Sequence, residues 1–291
     1  MSNLKICSIA AVSLFLFVVC FTHAFAEDSY KYDMGIAYMN FEDNDEYDAS
    51  LIGVGGAIHF QDVNTSGHVL GEAAFLERIG DFNFFLGKDS ETDGNYSPEL
   101  EIDGQVYSLG FDVMSPDSPA LLEISVAKYD MEAEPPYKGE MDMDIIELRL
   151  GGVVRDNFLV YGIFSKTDIE MNGIDGGLDD KGLGIKYVNE FDNKAVNIEA
   201  SVTLPENDDG DDGTETNISV DYYFCRFFSL GYGITKHSGD LFMDSGLTHS
   251  LGLLAFMSES CYLEFEMDRF DPDDIPALES DTVSLALGTR F

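Results

Sequence analysis

From Tyr30 onward the chain alternates, residue by residue, between apolar and polar side chains. Asn217–Phe224 reads NISVDYYF, which puts Ile218, Val220, Tyr222 and Phe224 on one face and Asn217, Ser219, Asp221 and Tyr223 on the other. Phe227–Thr235 sets Phe228, Leu230, Tyr232 and Ile234 against Ser229, Gly231, Gly233 and Thr235. Residues 195–204 set Val196, Ile198, Ala200, Val202 and Leu204 against Asn197, Glu199, Ser201 and Thr203. A period of two belongs to strands whose two faces meet different surroundings. The pattern predicts strands over 30–41, 50–60, 78–88, 104–114, 120–130, 142–154, 158–169, 180–190, 195–204, 216–224, 227–237, 248–257, 261–270 and 281–291. Over 158–169 the faces compete, because Phe158, Val160 and Phe164 lie on one and Leu159, Tyr161 and Ile163 on the other.

A soluble sandwich alternates too. Three features favour a barrel in a bilayer. The apolar faces run for about four to five outward positions, which matches strands of ~9–11 residues tilted across a membrane. The opposite faces are rich in Gly, Ser and acids, as a water-filled lumen requires. Connections alternate in length: turns near 155–157, 192–194, 225–226 and 258–260 are short, whereas 132–141, 170–179, 205–215, 238–247 and 271–280 are longer and mostly acidic. The expected fold is therefore all-β, a transmembrane antiparallel up-and-down β-barrel of fourteen strands with both ends periplasmic. Counting 67–76 as a strand breaks the even number, so 61–77 reads as a periplasmic connection, partly helical. Sixteen strands is the alternative, if 67–76 and one piece of 89–103 both pair.

The first residues carry an address. Lys5 supplies a positive start, 9–22 an apolar run and Ala24-Phe25-Ala26 a small-x-small cleavage site, so 1–26 reads as a secretory signal peptide and 27–291 as the barrel. A lipoprotein reading through Cys20 is disfavoured because Val19 before it is not small. No later stretch approaches ~18 apolar residues, so no helix anchor is expected. The expected location is the cell outer membrane.

Composition narrows the function. The formal net charge of −39, from 16 Lys+Arg against 55 Asp+Glu, excludes a nucleic-acid binder, which needs clustered bases. A hydrophobic fraction of 45% excludes a disordered acidic chain. Trp is absent, so Tyr and Phe must form any interfacial girdle. Tyr30, Tyr32, Phe224, Phe228 and Phe291 fall near predicted periplasmic ends, Tyr38 and Phe270 near outer ends.

In the last strand Val283, Leu285, Leu287 and Thr289 alternate with Ser284, Ala286, Gly288 and Arg290 before Phe291. This resembles the C-terminal strand of bacterial outer-membrane barrels. The resemblance implies that Phe291, Leu287, Leu285 and Val283 form a signal read by the barrel assembly machinery. Gly71-Glu72-Ala73-Ala74-Phe75-Leu76 is similar to a stretch in the general porins of Gram-negative bacteria, which implies a diffusion pore.

With the polar face inward, the pore lining is expected to contain Lys31, Asp33, Asp81, Asp112, Glu123, Glu147, Arg149, Lys186, Glu199, Asp221, Glu264, Glu266, Asp268 and Arg290. Glu264, Glu266 and Asp268 share one wall. A mostly acidic wall favours cations over anions. The expected function is a passive, cation-preferring aqueous channel for small hydrophilic solutes. The alternative is a non-conducting barrel whose acidic loops bind a ligand or a cell-surface partner. Expected partners are outer-membrane lipid and lipopolysaccharide, the assembly machinery, and the solutes or cations; oligomerisation is left open.

No cofactor is expected and no metal site, since the acidic stretches 42–48, 205–215 and 271–274 suit Ca²⁺ or Mg²⁺ but none has the twelve-residue calcium pattern. An enzyme is not expected either. A barrel hydrolase needs a nucleophile, a base and an orienting group in register. His249 has no matching Ser, and His237 beside Asp240 and Asp244 is the sole rim candidate; His59 and His68 read as isolated. Cys7 and Cys20 leave with the signal peptide. Cys225 and Cys261 fall on periplasmic turns, and a bond between them requires Cα atoms within ~7 Å.

Overall fold

The computed structural model describes residues 29–43, 47–95, 100–115, 117–133, 139–155, 157–241, 245–273 and 279–291. The signal peptide read over 1–26 lies outside them. Fourteen strands pair in chain order and close on themselves. They are β1 (Ser29–Asp43), β2 (Tyr47–Asn64), β3 (Asp81–Asp93), β4 (Leu100–Ser115), β5 (Ser118–Ala133), β6 (Glu140–Arg155) and β7 (Phe158–Met171). The second half comprises β8 (Ile174–Phe191), β9 (Lys194–Asn207), β10 (Gly213–Cys225), β11 (Phe228–Gly239), β12 (Gly246–Ser258), β13 (Cys261–Pro272) and β14 (Ser280–Arg290). Each predicted strand appears once, and the connection after β2 holds a single 3-10 turn, Leu70–Glu72, and a short helix, Ala73–Glu77. That excludes the sixteen-strand alternative. β1 pairs with β14 from Asp33↔Arg290 to Asp43↔Ser280, so the sheet has no open edge. Closure is what hydrocarbon demands, because a backbone N–H or C=O unpaired there costs several kcal/mol.

The strands run further outward than the sequence pattern indicates. β2 and β8 each have 18 residues, against the ~9–11 that a bilayer needs. The long acidic loop expected over 170–179 is instead a tight hairpin. Asn172 and Gly173 both take left-handed backbone, φ 54° and 78°, and Asn-Gly is the pair that supplies two such residues without strain. The loop expected over 205–215 likewise shrinks. Asn207 Oδ1 accepts the Asp211 N–H at 2.8 Å, and Glu206 bridges Asp212. Much of the predicted loop acidity therefore sits on strand ends.

Outward faces are apolar and exposed, among them Ile52, Val54, Leu109, Val126, Ile146, Leu183, Ile218, Leu251 and Leu285. At the periplasmic end the outer face carries aromatic pairs. Tyr32 stacks on Phe291 with centroids 5.6 Å apart, and Phe60 tilts on Phe111 at 5.3 Å. Phe191, Tyr222, Phe224 and Phe228 form a run with successive centroids 6.4, 4.7 and 5.7 Å apart. Tyr38 stands outward too, donating to Asn40 Oδ1 at 3.1 Å.

Two expected girdle residues turn inward. The β1–β2 ladder slips between Tyr30 and Tyr32, and Tyr30 is buried beside His59 and Arg290. Phe270 shares the inner face with Asp268 and packs edge-on against His237 at 5.9 Å. Cys225 is a free, exposed thiol, so it is not bonded to Cys261.

The β7–β8 hairpin gives a matched test. Gly173→Val and Gly176→Val both add a side chain where no atom lies within 4 Å, but only Gly173 has positive φ. Gly173→Val is expected to cost about 1–2 kcal/mol, seen as a lower temperature for the heat-modified gel shift. Gly176→Val is expected to leave it unchanged.

Candidate functional site

The inner wall is built from small residues that let long polar side chains lie flat. Tyr161 on β7 crosses Gly184 on β8 and donates to Glu199 on β9 at 2.7 Å. Tyr262 on β13 crosses Gly288 on β14 and donates to Asp33 on β1 at 2.9 Å. A Cβ at either glycine falls on the tyrosine ring.

Three of the four predicted inner bases, Arg149, Lys186 and Arg290, are committed to carboxylates. Arg290 Nε meets Asp33 Oδ2 at 2.9 Å, with its guanidinium 4.6, 4.7 and 5.2 Å from the rings of Tyr30, Phe256 and Tyr262. Arg149 Nε lies 2.8 Å from Glu147, and its Nη1 lies 3.6 Å from Glu123. Lys186 Nζ lies 2.9 Å from Glu72 and 4.9 Å from the centre of the Phe75 ring. Lys31, at the slip beside Tyr30, enters none of these pairs.

Glu72 and Phe75 belong to the connection after β2, which folds into the periplasmic mouth rather than lying outside it. Leu70 and Val63 are fully buried there. Val69 packs with Ala195 and Tyr223, Ala73 with Tyr30 and Ile79, and Phe75 with Leu121, Leu159, Tyr161 and Ile163. Polar contacts complete the ring. Arg290 Nη1 donates to Leu70 O at 2.9 Å. Arg226 donates to Thr65 O at 2.7 Å and to His68 O at 3.2 Å, and pairs with Glu259 at 2.6 Å. Tyr223 donates to Glu72 Oε1 at 3.1 Å. The segment thus touches β1, β5, β7, β8, β9, β10 and β14, and it spans the mouth. It also explains the two apolar faces of β7, since Leu159, Tyr161 and Ile163 point inward onto Phe75.

His68 fastens this segment to the wall. Its ring nitrogens lie 2.9 Å from Glu190 and 2.9 Å from Glu77, and Glu190 also accepts the Val69 N–H at 3.0 Å. Burial by itself lowers the imidazole pKa, but hydrogen bonds and charge from Glu190 and Glu77 outweigh it, and the net shift is upward. Removing a partner from the buried Glu72–Lys186 pair costs about 3–5 kcal/mol.

Asp221, near the periplasmic end of β10, accepts from Asn197 at 3.1 Å. Towards the outer end the wall is acidic. Glu266 and Asp268 line an outer cavity of about 470 Å³ with Glu215, His237, Phe41 and Phe270. His237 Nδ1 lies 3.2 Å from Glu215 and Nε2 lies 3.2 Å from Thr248 Oγ1. Glu215 thus faces it from across the β10–β11 ladder; Asp244 lies outside the described residues. His249 bonds the Tyr232 hydroxyl on the outer surface at 2.8 Å. Asp81, Asp112 and Glu123 stand together against a smaller cavity beside Phe75. Sequence reasoning missed Glu72, His68, Tyr161, Tyr223, Arg226 and Tyr262. The one hint was the lost alternation at 158–164.

No family model matches the chain, and neither does any curated protein sequence. Its fold is similar to solved barrels. The Acinetobacter baumannii outer membrane protein Omp33 superposes with TM-score 0.56 at 15% identity, over 91% of this chain and 100% of that one. A deletion mutant of the TodX monoaromatic hydrocarbon channel gives 0.51 at 9% identity, over 92% and 91%. A bacterial polysaccharide outer membrane secretin gives 0.51 at 7%, over 90% and 99%. The class of protein is thereby defined: the chain has the fold of an outer-membrane β-barrel.

Two outcomes follow from the inner wall. Gly288→Val forces Tyr262 off Asp33 and is expected to destabilise by about 1–3 kcal/mol, lowering the heat-modification temperature. His68 with a raised pKa holds the segment fully below its unfolded value of about 6.5 and progressively less as pH rises through the folded pKa. Proteolysis of the segment in detergent is expected to speed up across that rise, and His68→Gln is expected to flatten the profile.

Proposed function

We propose that the protein is an outer-membrane channel for small hydrophilic solutes, constricted at its periplasmic mouth by the folded-in segment 65–79, and that it prefers cations. One observation carries the reading. Arg149, Lys186 and Arg290 are each neutralised by an adjacent carboxylate, while Glu264, Glu266 and Asp268 continue along one strand towards the outer cavity. A wall of that sign in a low-dielectric shell stabilises cations and repels anions. Passage is sieving by width and charge, without a cofactor or a chemical step. The His237–Thr248 contact does not argue for hydrolysis, because Glu266 and Asp268 line the same cavity and oppose a developing oxyanion. Lipid and lipopolysaccharide surround the apolar outer face in this reading, and Phe291 serves the assembly machinery.

Planar-bilayer recording under a KCl gradient tests selectivity. A reversal potential on the cation side is expected; an anion-side value would overturn the preference. Glu72→Gln and Arg226→Ala weaken the seating of segment 65–79. Both variants are expected to raise conductance or open time severalfold over the parent protein. Silence from the parent and both variants would favour instead a non-conducting barrel that binds a partner.

A further inference from the structure

We propose that Met131, Met141 and Met171, which stand side by side on the inner face of β5, β6 and β7 at the outer mouth, form a thioether site for a soft monovalent metal ion of the Cu⁺ or Ag⁺ class. The ladder pairs Met131 directly with Met141, and Met141 directly with Met171. Side chains two apart along a strand point the same way, which places all three inward. On β6, Met141, Met143 and Ile145 follow the face of Glu147 and Arg149, and Arg149 pairs with Glu147 and Glu123 inside the barrel. On β7, Met171 follows the face of Tyr161, whose hydroxyl reaches Glu199 across the inner wall.

Here the two faces of the sheet exchange polarity. Nearer the periplasm the outward side chains are Ile124, Val126 and Ile146, all exposed. At the outer mouth the outward pairs are acidic: Asp130 opposite Asp142, Asp142 opposite Glu170, and Glu132 opposite Glu140. Hard carboxylates thus stand outside and soft thioethers inside. The acids raise the local concentration of any cation. The thioethers choose among cations, because methionine sulfur suits Cu⁺ while Mg²⁺ and Ca²⁺ want oxygen. Core packing does not account for the row. Among the described residues, the buried apolar clusters contain none of the three, and Met171 is 50% exposed. The geometry suits convergence. Neighbouring strands lie ~4.8 Å apart, so an ion above Met141 is one strand spacing from the β5 and β7 backbones. An unbranched side chain with three rotatable bonds spans that gap. Met131 lies over Gly104, its Cγ 3.1 Å from where a Cβ on that glycine would stand, and turns about those bonds to meet the ion. Met143, two residues along β6 on the same face, supplies a fourth sulfur in range.

Titrating Ag⁺ into the full-length mature protein tests this, with ¹³C-methyl methionine as the probe, in detergent and chloride-free nitrate buffer. The exposed thiol of Cys225 is capped beforehand with N-ethylmaleimide. The methyl resonances of Met131, Met141 and Met171, assigned by single Leu substitutions, are expected to shift together and saturate, and to stay in place with Zn²⁺ or Mg²⁺. Met141→Leu conserves volume and is expected to weaken Ag⁺ at this site at least tenfold. Met131→Leu and Met171→Leu are each expected to weaken it severalfold, and Met257→Leu, at the periplasmic end of β12, to leave it unchanged. Should Met141→Leu fail to give the heat-modifiable barrel, the concerted shift in the parent protein decides. Silver that leaves these three methyls unmoved, an equal response to Zn²⁺, or unchanged affinity in a folded Met141→Leu would overturn the site. Binding here does not require conduction, so bilayer recordings and these titrations can fail separately.

Discussion

Everything in this molecule follows from pairing the first strand with the last. Hydrocarbon offers no partner for a backbone N–H or C=O, so a sheet that crosses it must be closed. The β1–β14 ladder meets that demand, and closure then sorts every side chain. In a barrel that crosses a bilayer, outward residues meet lipid tails and must be apolar, as the exposed outer face here is. Inward residues enclose a space too wide for an ordinary packed core, so they must be small, polar or covered by something else.

The inner wall uses all three options. Gly184 and Gly288 are small, and each is the floor over which a tyrosine reaches an acid two strands away. Those tyrosines stiffen the wall across strands that do not touch directly. The bases lie among aromatic rings and carboxylates, where Arg is well suited because its planar fork both stacks and pairs. Covering is done by the segment after β2. It brings Leu70, Val69 and Phe75 against inward apolar side chains, giving a barrel of this width the only substantial interior packing seen among the described residues.

That segment is held by polar contacts around most of its circumference and by little regular structure of its own. A 3-10 turn and a five-residue helix have almost no independent stability. Their geometry is imposed by Arg226, Arg290, Glu190 and Lys186, which reach in from strands far apart in sequence. A few kcal/mol in those contacts therefore controls whether the mouth is filled. The same insertion creates the cavity beside Asp112, which would not exist if the connection lay outside the barrel.

The architecture was legible in the sequence because its cause is local. Side chains two apart share a face, so alternation, its length and its parity suffice for strand number and closure. Hairpin geometry was less visible: the acids of 170–179 suggested a loop, while Asn172-Gly173 dictated a tight turn. Tyr30 and Phe270 were misplaced because a ladder slip and a neighbouring His237 decide their direction, and neither can be read along one strand. What only the tertiary structure decided is what lies inside. Glu72 meets Lys186, Tyr223 meets Glu72 and Arg226 meets Thr65 because ring closure brings distant strands around one mouth. Pairings of that kind depend on the circumference of the barrel, which no stretch of sequence records.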